Sequence, residues 1–218
     1  MRRGGAGPLS PETGPDRVAL VATILLAAAT VAPAWSGYQA SRWNGEAAKS
    51  TARGTALRLE STRQSDLANS QAQVDVAVFI QWVDAFATGE TELRDFYYAR
   101  FRPEFKPAVV AWVATKPRTN PNAPLTPFAM PEYRSEARED SARLLKEADA
   151  FAATARRNIQ RSTNYVLGVV LFAAALFFAG MSTKLPTPRL RLAMLVMGMV
   201  VFAGTLAWIA TSPVSVSV

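Results

Sequence analysis

Charged residues are distributed very unevenly along this chain, and three stretches contain none at all. They are Val18–Trp35, Tyr165–Thr183 and Leu192–Val218, and the strongly apolar part of the last one ends at Ala210. Each apolar part is 18 or 19 residues long, and a helix needs roughly 17 to 25 residues to cross a bilayer core. Val166–Phe178 is apolar all round, whereas a soluble helix normally has a polar face. The pattern predicts three membrane-spanning helices, at residues 18–35, 165–183 and 192–210.

Two other interpretations of these stretches are weaker. A buried helical hairpin in a soluble protein is disfavoured, because uninterrupted apolar runs of this length are typical of membrane spans. A cleaved signal peptide is the alternative for the first stretch, since Arg2, Arg3 and Arg17 precede it and small residues lie near its end. Its apolar run exceeds the roughly 7 to 15 residues of a signal-peptide core, so we interpret it as an uncleaved anchor.

The short segments beside the predicted spans differ in positive charge. The tail at residues 1–17 has three arginines and the connector at 184–191 has one lysine and two arginines, whereas the tail at 211–218 has neither residue type. Basic residues concentrate in short cytoplasmic segments, and Trp and Tyr concentrate at the membrane interface. Trp35, Tyr38, Trp43, Tyr165 and Trp208 all fall at the opposite ends of the spans from that tail and connector. We therefore predict a cytoplasmic N-terminus, with residues 36–164 and the C-terminus outside the cytoplasm.

Residues 36–164 are predicted to form a helical domain. A long helix is expected over Ser41–Ala87, with an interruption near Gly54, because this segment lacks proline and is rich in helix-forming residues. Gly89 is expected to end it. A second helix near Thr91, a third over Pro107–Thr115 and a last helix from Pro131 or Glu132 into the second span complete the domain. The predicted stripe of the first helix is apolar only toward its C-terminal end, and consists of Leu59, Val76, Ile80, Val83 and Ala87 with Thr62, Asp66, Asn69 and Gln73 in between. The predicted inward stripe of the last helix consists of Leu144, Leu145, Ala148, Phe151 and Ala152.

The fold class is therefore an all-α membrane protein, with three transmembrane helices and a helical stalk or hairpin domain between the first and second. Aromatic residues at 79–86 and 96–112 are expected to form a core in that domain. Five prolines between residues 116 and 131 exclude regular helix and favour an extended loop. This loop is the first candidate for a partner contact, and the alternative is that it caps the aromatic core. Its candidate residues are Asn120, Pro121, Pro124, Pro127, Phe128 and Tyr133.

The second candidate site is a set of arginines interleaved with aromatic residues, comprising Arg94, Tyr98, Arg100 and Arg102. Such a set can hold an anionic ligand or single-stranded nucleic acid by charge and stacking. The interpretation we favour is an amphipathic helix with buried rings and solvated arginines. Residues 37–161 have 18 basic and 15 acidic side chains, a balance that does not favour a nucleic-acid partner.

The residue types present limit the chemistry. The chain has no cysteine and no histidine, which excludes disulfides and every nucleophile or zinc site built on those residues. Carboxylate catalysis has only Asp95, Glu104 and Glu132 as candidates, with no motif around them. We predict neither an enzyme nor a cofactor or metal site. The predicted spans contain no ionisable side chain, which disfavours ion-coupled transport.

Three segments carry a resemblance to a family: SGYQASRWNGE at 36–46, NPNAPLTPFAMPEY at 120–133 and NYVLGVVLFAAALFFAG at 164–180. They resemble uncharacterised bacterial inner-membrane proteins with one N-terminal span, a helical extracytoplasmic region and two C-terminal spans. The resemblance implies this architecture and location, but no functional residue, because that group has no assigned activity.

The leading functional hypothesis is a non-enzymatic interaction, assembly or accessory subunit that acts through its extracytoplasmic domain. Its expected partners are the lipid bilayer and either further copies of itself or another membrane protein. The alternative is a homo-oligomeric channel-like or transport-associated protein, whose polar lining would come from Thr23, Thr30, Thr205 and Ser182.

Overall fold

The computed structural model describes residues 17–215, of which 82% are helical and none lies in a β-strand. The all-α prediction is therefore confirmed for this part of the chain. Residues 1–16 of the predicted cytoplasmic tail and the last three residues of the predicted outer tail lie outside the described range. The helices are α1 (Arg17–Thr88), α2 (Thr91–Arg100), α3 (Lys106–Ala114), a short 3₁₀ helix (Pro127–Ala129), α4 (Glu136–Ser182) and α5 (Pro188–Ala210).

Within residues 17–215, two helices, α4 and α5, contain apolar segments long enough to cross a membrane. The predicted spans at 165–183 and 192–210 fall on these two helices. The predicted span at 18–35 falls at the start of α1 and stays a prediction. The chain divides into two compact units. The terminal unit consists of residues 1–50 and 154–218, and the central unit consists of residues 51–153.

In the terminal unit, α4 and α5 approach closely because small residues face each other. A methyl group added at Gly198 would lie 3.1 Å from the carbonyl oxygen of Ala175 and 3.3 Å from the backbone nitrogen of Ala179. Gly168 of α4 similarly lies against the side chain of Ile209 on α5. Helices in membranes commonly associate through such small residues, which let their backbones pack tightly.

The segment after α5 is tied to the rest of the terminal unit. The carbonyl oxygen of Pro213 accepts hydrogen bonds from the Trp43 indole nitrogen at 3.1 Å and from the Tyr165 hydroxyl at 3.2 Å. The backbone N–H of Ser215 donates to Oε1 of Gln39 at 3.0 Å. This segment was predicted to be an outer tail, and its attachment to α1 and α4 was not predicted.

In the central unit, α1 pairs with α4 of the same chain. Ser61 and Ser141 each donate a hydroxyl hydrogen bond to the other's carbonyl oxygen, at 2.8 and 2.9 Å. At Gly54 an added methyl group would lie only 3.2 Å from the carbonyl oxygen of Ala148. The predicted interruption of the helix near Gly54 is therefore wrong. The glycine sits within continuous helix and lets the partner backbone come close.

The predicted inward stripe of α1 is also wrong in most positions. Leu59, Val76 and Ile80 are 41–58% exposed. The residues that point inward follow a near-heptad spacing and begin with small or polar side chains: Ser61, Ala68, Asp75, Phe79, Trp82 and Ala85. The stripe was predicted from hydrophobicity alone. That prediction failed because helices that pair closely have small residues, rather than large apolar ones, on the paired face. On α4, Ala148 is buried as expected, but Leu145 is 47% exposed.

The central unit contains an aromatic core, as predicted. Its buried aromatic members are Phe79, Trp82, Phe101, Phe105 and Trp112. Phe79 makes edge-to-face contacts with both Phe105 and Trp112 at centroid distances of 6.0 and 5.5 Å. Each pair of rings in this arrangement stabilises the fold by roughly 0.5–1.5 kcal/mol beyond the effect of burying their surface.

The turns around this core follow local backbone chemistry. Gly89 has a φ of +81° and ends α1, as predicted. α4 begins at Glu136 rather than at Pro131 or Glu132. The later start follows from Ser135, whose hydroxyl accepts a hydrogen bond from the backbone N–H of Arg138 at 3.4 Å and so caps the helix.

Candidate functional site

The proline-rich loop divides into a buried half and an exposed half. Pro127 is buried, and Phe128 and Tyr133 pack against the aromatic core. Phe128 stacks on Phe105 at 5.0 Å, and Tyr133 meets the same ring edge-on at 5.7 Å. These three candidate residues therefore act as the cap that the sequence analysis held as the alternative to a partner contact.

The other half of the loop is exposed but held in place. The Trp112 indole donates to the carbonyl oxygen of Pro124 at 2.7 Å. Asn120 donates from its side chain to the carbonyl oxygen of Thr115 at 3.1 Å, and its Oδ1 accepts from the backbone N–H of Asn122 at 3.0 Å. Asn120 and Pro121 are exposed and Pro124 is half-buried. The backbone of this half is thus pinned at several points.

Leu125 stands out on this exposed half, because 94% of its surface is accessible. A single exposed leucine is common, but this one is on a segment fixed by Pro124 before it and by buried Pro127 after it. It borders a cleft of about 300 Å³ whose other walls include Val83, Phe86 and Trp112. We call this cleft, with Asn120, Pro121 and Leu125, the loop surface.

The second candidate set does not form one cationic site. Arg94 donates from Nε and Nη2 to Oδ1 of Asp95, at 3.0 and 2.9 Å. Arg100 stacks on the ring of Phe96 at 3.3 Å and donates to the carbonyl oxygen of the same residue at 2.9 Å. Tyr98 makes an edge-to-face contact with the buried ring of Phe101 at 5.7 Å. Each side chain is thus engaged locally, in keeping with the amphipathic-helix interpretation.

Arg102, the remaining member of that set, is at the centre of a partly buried ion-pair network in which Asp75 is the buried group. Its guanidinium donates from Nε to Oδ1 of Asp75 at 3.0 Å and from Nη2 to Oδ2 at 2.6 Å. Its Nη1 donates to Oε1 of Gln71 at 3.1 Å and also to the carboxylate of Glu104. The network is completed by the Tyr133 hydroxyl, which donates to Oδ2 of Asp75 at 3.3 Å.

The electrostatics of this network favour the charged pair. The hydrogen bond to Asp75 raises the pKa of the Arg102 guanidinium, against the opposing effect of partial burial. Burial first, and the Asp75 charge second, raise the pKa of Tyr133 above its ordinary value. Because the Asp75 side chain is only 2% exposed and accepts from three donor groups, it joins α1 to the segment after α2 and to the turn before α4.

The three carboxylates considered for catalysis do not converge on one cleft. Glu104 binds Arg102, Asp95 binds Arg94, and Glu132 is exposed. Asp75 was not among the sequence candidates. The signal that could have found it is its position four residues before Phe79 and seven after Ala68, which places a carboxylate on the buried face of α1.

In the terminal unit, three of the four hydroxyls proposed as a polar lining donate hydrogen bonds within their own helices. Thr30 donates to the carbonyl oxygen of Ala27, Ser182 to that of Ala179, and Thr205 to that of Val201, all at 2.6–2.7 Å. Ser182 and Thr205 are buried, whereas Thr23 and Thr30 are exposed. The four residues therefore do not form one shared surface in the single chain.

Comparisons with protein families, with curated proteins and with solved structures find no match to this chain.

Proposed function

We propose that this chain is an integral membrane protein of the bacterial cytoplasmic membrane, with spans at residues 18–35, 165–183 and 192–210. Support comes from the apolar segments of α4 and α5 and from the basic residues concentrated in the N-terminal tail and the connector. The N-terminus is then cytoplasmic, and the central unit and the C-terminus lie on the outer side.

Within this arrangement the central unit serves interaction or assembly rather than catalysis. The observation that carries this proposal is Leu125, 94% exposed beside an apolar cleft on a loop whose backbone is pinned by Trp112. An apolar side chain held by a rigid loop loses little conformational entropy on binding, which is the property of an interface anchor. The partner is another membrane protein or a further copy of this chain, so the protein acts as an accessory or assembly subunit.

This role can be tested by brief cross-linking and extraction in mild detergent, followed by measurement of the mass and composition of the complex. The wild-type chain is expected to migrate as a fixed multiple of 23.6 kDa or with a stoichiometric second protein. Leu125→Asp is expected to weaken that complex about 30-fold, because an interface anchor is typically worth about 2 kcal/mol. Leu145→Asp is the matched control, since Leu145 is a 47% exposed leucine of the same unit outside the loop.

A bare monomer under these conditions would contradict the proposal, and so would equal loss of the complex in both variants. The channel-like alternative is less well supported, because Ser182 and Thr205 are buried whereas Thr23 and Thr30 are exposed, so the four hydroxyls share no surface in the single chain. It would require a fixed oligomer with measurable conductance in bilayers.

A further inference from the structure

A second cleft lies in the terminal unit, between α1, α4 and α5, with a volume of about 430 Å³. Val31 and Trp35 of α1 are among the residues that line it, and they are 69% and 47% exposed. Phe172 of α4 and Phe202 of α5 line it as well, with their ring centroids 5.4 Å apart. Ser36 is the single polar residue among the described residues that line it. The cleft is thus an open apolar recess, within the roughly 300–1,000 Å³ range of ligand sites.

In the proposed topology this cleft lies in the outer half of the bilayer. Val31 is in the outer half of the span at residues 18–35, and Leu206, which also lines the cleft, is near the outer end of the span at residues 192–210. The solvent at that depth is hydrocarbon rather than water. An open apolar recess there is therefore a surface for a lipid acyl chain.

The open side of the cleft continues along α1 toward the outer surface of the membrane. Trp35, Tyr38 and Arg42 are separated by three and four residues, which places them on one helix face. The rings of Trp35 and Tyr38 are 6.0 Å apart, and Tyr38 is 54% exposed. Such rings are typical of the headgroup level. Arg42 is partly exposed and lies about 10 Å farther along the helix than Trp35, a distance that a long arginine side chain shortens by extending back toward the membrane.

The segments that flank the outer ends of the spans carry an excess of positive charge. Residues 36–50 and 154–164 contain five basic side chains and one acidic side chain, Glu46, which pairs with Lys49 at 2.8 Å. Basic residues usually concentrate on the cytoplasmic side of a membrane protein. An excess on the outer side therefore favours contact with anionic lipid headgroups, which attract basic residues near the membrane surface.

Arg161 of α4 adds a second positive charge near the level of Arg42. It is four residues before Tyr165, where the second span begins, and its guanidinium lies 4.5 Å from the ring centroid of Trp43, the neighbour of Arg42 in the chain. Its Nη1 donates to the amide oxygen Oδ1 of Asn158 at 3.3 Å. Neither of these partners, in the described part of the chain, neutralises its charge.

We infer that this cleft holds one acyl chain of an anionic phospholipid, whose headgroup phosphate is bound at the level of Arg42 and Arg161. The inference rests on the proposed topology, because the α1 side of the cleft contacts lipid when residues 18–35 cross the membrane. The apolar walls bind the chain whatever the headgroup, and the two arginines select a negative charge. The two contributions can therefore be separated by substitution.

The test is native mass spectrometry of the full-length chain in mild detergent, titrated with an equimolar mixture of phosphatidylglycerol and phosphatidylcholine that have the same acyl chains. The first lipid is anionic and the second is zwitterionic. One arginine near the membrane surface corresponds to about a fivefold preference for the anionic lipid. We expect one saturable lipid per chain in the wild type, with at least this preference for phosphatidylglycerol.

Two valine variants test whether the lipid occupies this cleft. Val31→Phe places a ring at the open side of the cleft and should remove the saturable lipid. Val200→Phe is the matched control, because Val200 of α5 is 63% exposed and is not among the residues that line the cleft. This control should retain the lipid with the same preference.

Two pairs of charge variants test the headgroup contact. Arg42→Gln combined with Arg161→Gln should keep one lipid per chain but bind the two headgroups equally. Lys49→Gln combined with Arg156→Gln removes the same amount of charge at positions seven and five residues farther from the membrane. This control pair should leave the preference unchanged.

Equal binding of the two lipids by the wild type overturns the inference, and so does a saturable lipid that survives Val31→Phe. A dimer that Val31→Phe disrupts and that has no bound lipid would show that a second copy fills the cleft, which also overturns it. Labelling of Ser10→Cys by a membrane-impermeant maleimide in intact spheroplasts would overturn the span at residues 18–35 and this site together. Protection of Ser10→Cys until permeabilisation, combined with equal lipid binding, would overturn the lipid site alone.

Discussion

Replacing Arg102 by Met is expected to destabilise the central unit strongly, because it leaves a carboxylate buried without its main partner. Asp75 is 2% exposed, and without the guanidinium only the Tyr133 hydroxyl among its present partners can donate to it. Breaking a buried pair by removing one partner typically costs about 3–5 kcal/mol. The Arg102 side chain is 20% exposed, so water can reach part of the site, and we expect the lower end, about 3 kcal/mol.

The assay is urea unfolding followed by tryptophan fluorescence, since Trp82 and Trp112 both lie in the aromatic core of this unit. With a denaturant slope of about 2 kcal/mol per molar, a loss of 3 kcal/mol lowers the midpoint by about 1.5 M. Arg94→Met is the control, because it removes an ion pair whose Asp95 partner is 65% exposed. Exposed pairs contribute about 0–1 kcal/mol, so the midpoint should move by less than about 0.5 M.

The double variant Arg102→Met with Asp75→Leu separates the unpaired charge from the loss of packing. Replacing both partners by apolar residues of similar size is often neutral, so most of the lost stability should return. A midpoint within 0.5 M of wild type for Arg102→Met alone would refute the reasoning (about 1 kcal/mol). A double variant as unstable as the single one would show that the buried charge is not the cause.

Two further substitutions test the network and the helix packing. Tyr133→Phe removes a hydrogen bond to Asp75 and should cost about 1 kcal/mol at pH 7 by urea unfolding. The pKa of Tyr133 is raised in the folded chain. The contribution of Tyr133 to the free energy of unfolding is therefore complete below its pKa in the unfolded chain, near 10, and is lost as the pH rises through its pKa in the folded chain. The stability difference between wild type and Tyr133→Phe should therefore shrink above pH 10. A difference that stays constant with pH would contradict this role of the Tyr133 hydroxyl. Gly198→Ala should destabilise the α4–α5 pair by about 1–3 kcal/mol in a detergent thermal-unfolding series, through contact with Ala175. Gly204→Ala, with nothing within 4 Å, should be neutral or stabilising because alanine favours helix, and equal losses in the two variants would contradict the packing argument.

Large-scale features of the fold were predictable from the sequence because they depend on residue type over long windows. The apolar segments of α4 and α5, the end of α1 at Gly89 and the presence of an aromatic core followed from hydropathy, glycine chemistry and aromatic content. The short helices α2 and α3 were placed to within a residue or two, because Thr91 and Pro107 mark their first turns.

The features that were missed depend on contacts between distant parts of the chain. The inward face of α1 includes Ser61 and Asp75, which are buried because Ser141 of α4 and Arg102 lie opposite them. The same holds for Gly54, which serves a close backbone approach that no local pattern reveals. The division of the proline-rich loop into a buried and an exposed half was likewise left open, because proline content restricts the backbone without showing which side chains face the core.

The most direct test of the proposed architecture is single-cysteine labelling in intact spheroplasts, which the absence of native cysteine makes possible. Cysteine is placed singly at Ser10, Leu125 and Lys184, and each variant is exposed to a membrane-impermeant maleimide before and after permeabilisation. Three spans predict immediate labelling at position 125, and labelling at positions 10 and 184 only after permeabilisation. Labelling at position 10 together with position 125 in intact spheroplasts would contradict the span at residues 18–35 and leave two spans at most.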